Sequence, residues 1–187
     1  IFDITFIQSS LSSIQPTVDG GFIFGGEKNG NSYVLKTNSS GIKEWDKTYD
    51  ASYGVEDIIQ NSDGTSIFSY RQEDFINIMK IDASGNELWN HSYAEYGYKY
   101  GDLQKTEDGG YLLLLNYLVH DCDIYLTKIN QDGVIEWDKY FGDNTACEAG
   151  GVAKQTMDGG FIIAGTTVGD DSNILLIKTD SNVMINN

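Results

Sequence analysis

The sequence has little proline, little cysteine and little positive charge. One proline beside 21 glycines favours a chain of strands joined by many tight turns over a helical bundle. Two cysteines are too few for a disulfide scaffold, although they can form one pair. No apolar run approaches the ~20 residues that a membrane-spanning helix needs, so we expect no membrane insertion.

Negative charge dominates instead. Twelve basic residues stand against 28 acidic ones, which gives a net charge of −16 and an isoelectric point near 4.2. Such a surface repels nucleic-acid phosphates and anionic lipid head groups, so we expect neither as a partner. Solubility in a crowded or salty exterior explains the charge, and cation capture by clustered carboxylates is the alternative. With 187 residues and 40% hydrophobic composition, the chain fits one globular domain.

One unit recurs four times along the chain. Its clearest copy is QTMDGGFIIAG (155–165), in which an Asp-Gly turn opens into an apolar run typical of a β-hairpin. The turn aspartates are Asp19, Asp63, Asp108 and Asp158, so successive copies lie 44, 45 and 50 residues apart. Repeats of about 40–50 residues with four strands each are the signature of propeller blades.

A second pattern follows each hairpin. A strand with one lysine comes first, and in three copies a strand with one tryptophan follows. The lysines are Lys36, Lys80, Lys128 and Lys178, and the tryptophans are Trp45, Trp89 and Trp137. Each repeat therefore reads as four strands, A to D. We expect the tryptophans to fill the space between adjacent blades, because an aromatic side chain buries a large area.

The fourth repeat lacks a tryptophan strand, whereas the chain begins with a similar segment. Residues 2–6 (FDITF) align with residues 45–49 (WDKTY). We therefore predict an all-β, closed four-bladed propeller with four antiparallel strands per blade, in which Ile1 to Phe6 completes the last blade and hides its edge. The expected blades cover about 11–50, 54–94, 98–142, and 148–187 plus 1–7. A ring of more blades, formed by two paired chains or a longer parent, is the alternative.

The combined pattern resembles a known class of repeat. DGG-aromatic-I-I-x-G followed by I-x-x-I-K-T-D-x-x-G-x-x-x-W is similar to the DGG-type β-propeller repeats of secreted and cell-surface bacterial and archaeal proteins, relatives of the SBBP and NHL-like families. The resemblance covers all four repeats. It implies an extracellular or cell-surface propeller and brings no catalytic signature. The second copy departs from the pattern at Thr65 and Ser66, so we expect its A–B corner to turn differently.

Propeller connectivity sorts the repeated residues from the variable ones. We interpret the turn aspartates as stabilising their turns. The four lysines are interpreted as architectural, because an active site draws unlike residues from different loops. The B–C and D–A loops vary and lie together on one face, and variable loops carry function.

Four residues of this loop face are candidate ligand-binding residues: Tyr96, Tyr98, Glu56 and Glu148. Exposed tyrosines suit sugar or protein contacts, and packing over the blades is the alternative. The two glutamates are expected at matching positions at the start of strand A, where side chains point toward a central channel. Ca²⁺ or a cationic ligand is the expected occupant, and diffuse charge that serves solubility is the alternative.

Acids in two loops are candidate metal ligands: Asp121, Asp123, Asp170 and Asp171. They match no EF-hand loop or zinc spacing. Beyond a calcium ion, we expect no cofactor.

Cys122 and Cys147 fall in successive loops of the same face. The topology therefore permits a disulfide, provided that the compartment is oxidising. Two reduced thiols are the alternative, and a nucleophilic cysteine with His120 as its base is a third reading.

These patterns favour a non-catalytic, extracellular or cell-surface propeller that recognises a protein or a glycan through its loops. A structural subunit of a surface polymer, assembled through edge strands by strand exchange, is one alternative. A propeller enzyme is less favoured. A polysaccharide-cleaving enzyme needs a carboxylate pair, and none stands out in the sequence. The quinone-dependent dehydrogenases, which the G-x-x-x-W motif resembles, use adjacent cysteines, whereas Cys122 and Cys147 are far apart in sequence.

Overall fold

A computed structural model describes residues 9–94, 98–118, 122–142, 147–168 and 173–185. The regular structure in these ranges is β-strand, which confirms the predicted all-β class. They contain no helix that is long and apolar enough to cross a membrane. The chain divides into two compact units, Ile1–Tyr96 and Gly97–Asn187. Each unit contains two antiparallel sheets.

The first unit holds two four-stranded sheets whose strands lie side by side in chain order. Sheet 1 consists of β1 (Ser9–Pro16), β2 (Phe22–Lys28), β3 (Asn31–Thr37) and β4 (Lys43–Ser52). Sheet 2 consists of β5 (Val55–Gln60), β6 (Ser66–Gln72), β7 (Phe75–Ile81) and β8 (Glu87–Ala94). This order is the predicted A-B-C-D meander.

The second unit repeats the same arrangement. Sheet 3 consists of β9 (Tyr98–Lys105), β10 (Tyr111–Tyr117), β11 (Ile124–Ile129) and β12 (Ile135–Phe141). Sheet 4 consists, in the described residues, of β13 (Cys147–Gln155), β14 (Phe161–Val168) and β15 (Ile174–Lys178). A single bridge between Thr179 and Ile185 follows β15. The strand predicted from Ile1 to Phe6 lies outside the described residues.

Each first hairpin closes through the side chain of its turn aspartate. In sheet 1, the amide of Gly21 donates to Asp19 Oδ1 at 3.0 Å, and the amide of Thr17 donates to the Gly21 carbonyl at 2.9 Å. Gly20 has a φ of +83°, a conformation that a side chain disfavours. The Asp-Gly pair is therefore needed for the turn itself.

The turn of sheet 2 keeps this pattern although Thr65 replaces a glycine. The Thr65 amide donates to Asp63 Oδ1 at 2.9 Å, and the amide of Asn61 donates to the Thr65 carbonyl at 2.7 Å. The prediction that this corner turns differently was wrong. The backbone and Asp63 supply the same hydrogen bonds as in the other turns, and the Thr65 hydroxyl donates a further one to Asp63 Oδ1 at 2.7 Å.

Every first strand contains a bulge at the same place. The bulged residue lies seven positions before the turn aspartate and interrupts the pairing register with the second strand. The four bulged residues are Ser12, Glu56, Gly101 and Gly151. The repeat is therefore aligned most reliably by counting back from the turn.

The two faces of each sheet differ in what they contact. We call the face that carries the side chain four residues after the turn aspartate (Ile23 in sheet 1) the leading face, and the opposite face the trailing face. In the first unit, Ile23 and Val34 of sheet 1 pack against Ile58, Phe68 and Met79 on the trailing face of sheet 2.

The second unit has the equivalent core. There Leu112 and Leu126 on the leading face of sheet 3 pack against Ala153, Phe161 and Ile163 on the trailing face of sheet 4. Both units therefore bury apolar surface by placing a leading face on the next trailing face.

Tryptophans of the fourth strands bridge the two sheets of each unit, as the sequence predicts. The indole N–H of Trp45 donates to the carbonyl of Ala83 in sheet 2 at 3.1 Å. The ring of Trp137 packs against Phe161 in sheet 4, with centroids 5.2 Å apart. Each ring thus covers one edge of the apolar interface between the two sheets of its unit.

A polar contact recurs beside the bulges. The residue six positions before the turn aspartate accepts a backbone N–H from the next sheet. Ser13 Oγ accepts from the amide of Ile58 at 3.3 Å, and Asp102 Oδ2 accepts from the amide of Ala153 at 2.9 Å. These contacts give hydrogen-bond acceptors to backbone amides of β5 and β13, and they set the position of one sheet along the next.

The second glycine of the turn yields a test of this architecture. A Cβ at Gly160 would lie 2.1 Å from the carbonyl oxygen of Thr179. We expect Gly160→Ala to lower the free energy of unfolding by about 1–3 kcal/mol, as overpacking does. Urea unfolding measures the change. Gly151→Ala in the same sheet is the matched control, since its Cβ would meet nothing closer than 3.5 Å. Equal losses in both variants would contradict the steric argument.

Candidate functional site

In sheets 1, 3 and 4, the lysine of the third strand contacts its own turn. In sheet 1, Nζ of buried Lys36 lies 2.8 Å from Asp19 Oδ2 and 2.8 Å from Glu44 Oε2. The hydrogen bond from Lys36, followed by those from Thr17 and Gly21, holds the pKa of Asp19 well below its usual range. The turn aspartate is therefore fully charged at neutral pH.

Sheets 3 and 4 repeat this pairing. Lys128 contacts Asp108 at 2.5 Å and also pairs with Glu136. Its hydrogen bond to Asp108 lowers the pKa of that carboxyl to about 2. In sheet 4, Lys178 lies 2.9 Å from Asp158. The same contacts recur at the same repeat positions in these three sheets, so the lysines and aspartates support the fold.

Four tyrosines meet at the end of sheet 3 that lies opposite its Asp-Gly turn, where the β10–β11 connection is found. Each strand of the sheet places one tyrosine there, and we call the four the tyrosine cluster: Tyr98, Tyr117, Tyr125 and Tyr140. The register sets Tyr98 opposite Tyr117, and Tyr125 opposite Tyr140. Neighbouring rings have centroid distances from 4.8 to 6.2 Å. Cross-strand aromatic pairs of this kind stabilise a sheet.

The cluster is buried on one side and open on the other. The hydroxyls of Tyr98 and Tyr140 share a hydrogen bond, while Tyr140 is 48% exposed. Burial raises the pKa of Tyr98 and raises that of Tyr125 to about 12. The hydroxyls of Tyr98 and Tyr125 therefore stay protonated at neutral pH, where they can both donate and accept hydrogen bonds.

Only part of this cluster could be predicted from the sequence. Tyr98 was selected because tyrosines crowd the preceding loop, and Tyr96 lies outside the described residues. Tyr117, Tyr125 and Tyr140 were missed. They are far apart along the chain and meet only through strand pairing, so the alternation of each strand relative to Tyr98 is the signal that would have found them.

A disulfide joins the connections of sheets 3 and 4 at the same end. It links Cys122 in the β10–β11 connection to Cys147, the first residue of β13, with Cα atoms 4.6 Å apart. The amide of Glu148 donates to the carbonyl of Cys122 at 2.8 Å. Both sulfurs are bonded, so the alternative of a nucleophilic cysteine has no free thiol in the described chain. His120, its proposed base, lies outside the described residues.

Two carboxylates lie beside the disulfide. A Cβ on Gly142 would come 2.1 Å from Asp123 Oδ1 and 3.0 Å from Glu148 Oε2, so both acids border the same glycine. Glu148 is buried and Asp123 is half-buried. Glycine at 142 is what allows the two acids to come so close to the backbone.

The calcium expectation stays a prediction. Calcium takes six to eight oxygen ligands, and no group of three or more acids, histidines or cysteines that could hold a metal occurs within the described ranges. Asp121, Asp170 and Asp171 lie outside those ranges.

Glu56 and Glu148 do not take matching positions, which corrects the sequence prediction. Glu56 is the bulged residue of β5 and corresponds to Gly151, whereas Glu148 lies ten residues before Asp158. They also belong to different units. The prediction matched the two residues by their distance from the start of the strand. This match fails because β13 begins further from its turn than β5 does. Burial raises the pKa of Glu56, with Arg71 opposing the shift.

Two solved structures resemble this arrangement of sheets. A streptogramin B lyase structure matches with a TM-score of 0.62 over 95% of this chain and 57% of that chain, at 15% identity. A GH43 glycoside hydrolase engineered to display endo-xylanase and exo-arabinofuranosidase activity matches with a TM-score of 0.50 over 89% of this chain and 37% of that chain, at 12% identity. Both have propeller-like folds.

Identity this low shows the fold alone, so the all-β, propeller-like architecture is established and neither activity transfers. The chain spans 57% and 37% of these two longer chains. No protein family and no curated protein matches the sequence.

The disulfide provides a second test. It closes a loop of 25 residues, so the double variant Cys122→Ser/Cys147→Ser should lose about 3 kcal/mol of unfolding free energy. Urea unfolding with and without reductant measures this loss in the original chain. Reductant should leave the double variant unchanged, which serves as the control. Equal stability of the oxidised and reduced chains would show that the bridge does not support the fold.

Proposed function

We propose that this chain is a non-catalytic β-propeller module of the extracellular space or cell surface, which recognises a protein or a glycan. The observation that carries the proposal is the tyrosine cluster. Its rings offer apolar area and its hydroxyls offer hydrogen bonds, a combination suited to sugars and to protein interfaces. Because each ring comes from a different strand of one sheet, the surface is ordered before a ligand arrives, which lowers the entropic cost of binding.

The neighbouring disulfide supports both the location and the binding role. Disulfides persist in oxidising compartments, which include the exterior of cells. This one ties the connections of sheets 3 and 4 together beside the tyrosine cluster. The net charge of −16 suits a soluble surface and disfavours nucleic acid.

The chemistry of the cluster favours binding over catalysis. A general base works best when its pKa lies near the operating pH, whereas burial moves the pKa of Tyr98 and Tyr125 further above neutrality. Their hydroxyls remain neutral partners in hydrogen bonds. Both cysteines are held in the disulfide and supply no nucleophile.

We further propose that the four sheets act as blades of a closed ring and that Ile1 to Phe6 supplies the outer strand of sheet 4. Within the described chain, β15 pairs with β14 on one side only. An open edge is a template for another strand. The N-terminal segment carries the fourth-strand pattern, since FDITF aligns with WDKTY of β4.

Recognition is tested at the exposed ring of the cluster. Screening the purified chain on glycan and surface-protein arrays should yield a ligand, and Tyr140→Ala should weaken its binding by about tenfold or more, as loss of an aromatic anchor does. Isothermal titration measures the dissociation constants. Val134→Ala, an exposed position in the β11–β12 turn at the other end of sheet 3, is the control. No ligand on the arrays, or equal affinity of both variants, would contradict the proposal.

The strand assignment is tested by hydrogen–deuterium exchange with mass spectrometry. Amides of residues 1–6 should exchange as slowly as those of β15, because both would lie in the same ladder. Ile4→Pro removes one ladder donor and should accelerate exchange in β15. Rapid exchange of residues 1–6 in the unmodified chain would refute the assignment.

A further inference from the structure

Sheet 1 contains a lysine whose ammonium group contacts a tyrosine ring and a carboxylate together. Nζ of Lys28 lies 4.9 Å from the ring centroid of Tyr33 and 3.4 Å from Asp46 Oδ2. The Tyr33 hydroxyl donates to the same Asp46 oxygen at 3.0 Å, and Lys43 pairs with Asp46 Oδ1 at 2.9 Å. A ring and a carboxylate placed in this way attract an ammonium group by its charge.

Sheet 3 keeps the ring and the carboxylate of this arrangement but has neither lysine. Equivalent positions are found by counting from the repeated aspartate, lysine and tryptophan, and the strand registers agree with the count. Four residues of sheet 3 take these positions: Tyr125 for Tyr33, Asp138 for Asp46, Tyr117 for Lys28 and Ile135 for Lys43. Both cations that neutralise the carboxylate in sheet 1 are therefore replaced by uncharged side chains in sheet 3.

The other two sheets lack this combination within the described residues. Sheet 2 has Asn77 at the position of the ring and Asn90 at that of the carboxylate. Sheet 4 has Leu175 at the position of the ring, and its described strands end with β15. A tyrosine and an aspartate without their lysines are thus a property of sheet 3 alone among the described sheets.

The Asp138 carboxylate borders the tyrosine cluster and is open to solvent. Asp138 is exposed, and it forms none of the ion pairs found among the described residues. It lies two residues before Tyr140 on β12, so the two side chains share one face of the sheet. Burial, followed by the charge of Asp138, raises the pKa of Tyr125 to about 12. The carboxylate is therefore close enough to act on the rings of the cluster.

We infer that the tyrosine cluster binds a lysine side chain of a partner protein, whose ammonium group lies between the exposed ring of Tyr140 and the carboxylate of Asp138. This inference rests on the proposed recognition at the cluster and narrows its ligand from a protein or a glycan to a protein with an accessible lysine. Sheet 1 indicates the cation, because Lys28 of the chain itself occupies the equivalent place. The net charge of −16 also favours the approach of a basic partner.

Titration with the peptide tetralysine, followed by heteronuclear NMR, tests the inference. Amide signals of β12 should shift, and Asp138→Asn should weaken binding about tenfold, since it removes the charged contact. Asp132→Asn is the matched control. It removes the same charge from an exposed residue of the β11–β12 turn, at the other end of the sheet, and should leave the affinity unchanged. Acetylation of the peptide's ammonium groups should also weaken binding by about tenfold or more.

A second variant gives sheet 3 the internal lysine that sheet 1 has. Tyr117→Lys should place an ammonium group beside Asp138 and weaken tetralysine binding about tenfold by competition. Val134→Lys adds the same charge at an exposed residue of the β11–β12 turn and should have no such effect. Thermal unfolding verifies that the variants fold.

Several outcomes would overturn the inference: no signal shifts with tetralysine, shifts confined to acidic residues away from β12, or equal affinity for the acetylated peptide. A glycan from the arrays whose binding needs Tyr140 but not Asp138 would overturn the choice of a lysine and leave recognition at the cluster intact. If neither Tyr140→Ala nor Asp138→Asn changes the binding of any ligand, recognition at the cluster fails as well.

Discussion

The structure depends on apolar faces that occur on both sides of every sheet. A sheet with two apolar faces is not stable alone in water. Within each unit, the leading face of one sheet packs on the trailing face of the next, which buries one apolar face of each sheet. Tryptophans such as Trp45 and Trp137 then cover the edges of these interfaces between sheets.

The proposed recognition surface lies where the repeat is interrupted. The Asp-Gly turns recur in all four sheets, and in sheets 1, 3 and 4 the turn aspartate pairs with the lysine of its own sheet. At the other end of the second unit, the connections differ from one another, and there the tyrosine cluster, the disulfide and the pair of Asp123 and Glu148 lie. Regular strands and turns thus support connections that vary at one end, an arrangement common to proteins whose loops bind ligands.

The fold was largely predictable from the sequence, because turn aspartates and strand alternation are local signals. Each Asp-Gly pair predicts a tight turn that backbone and aspartate hydrogen bonds close. The site was less predictable, since it depends on register. Glu56 and Glu148 look equivalent because each lies next to the start of its strand, but β13 begins further from its turn than β5 does. Tyr117 reaches Tyr98 only after β9 and β10 pair, and Tyr140 reaches it only after all four strands of sheet 3 pair, which no local pattern encodes.

The lysine contacts have an implication for how such a chain changes in evolution. Lys36 finds both Asp19 and Glu44 inside its own sheet, and Lys128 finds Asp108 and Glu136 in the same way. The two buried ammonium groups of the described residues therefore stay with their counter-ions when one repeat is copied, deleted or exchanged by recombination. A gene for this architecture can gain or lose a whole sheet without stranding a charge in the interior, and the length of the array is free to drift while its electrostatics stay intact.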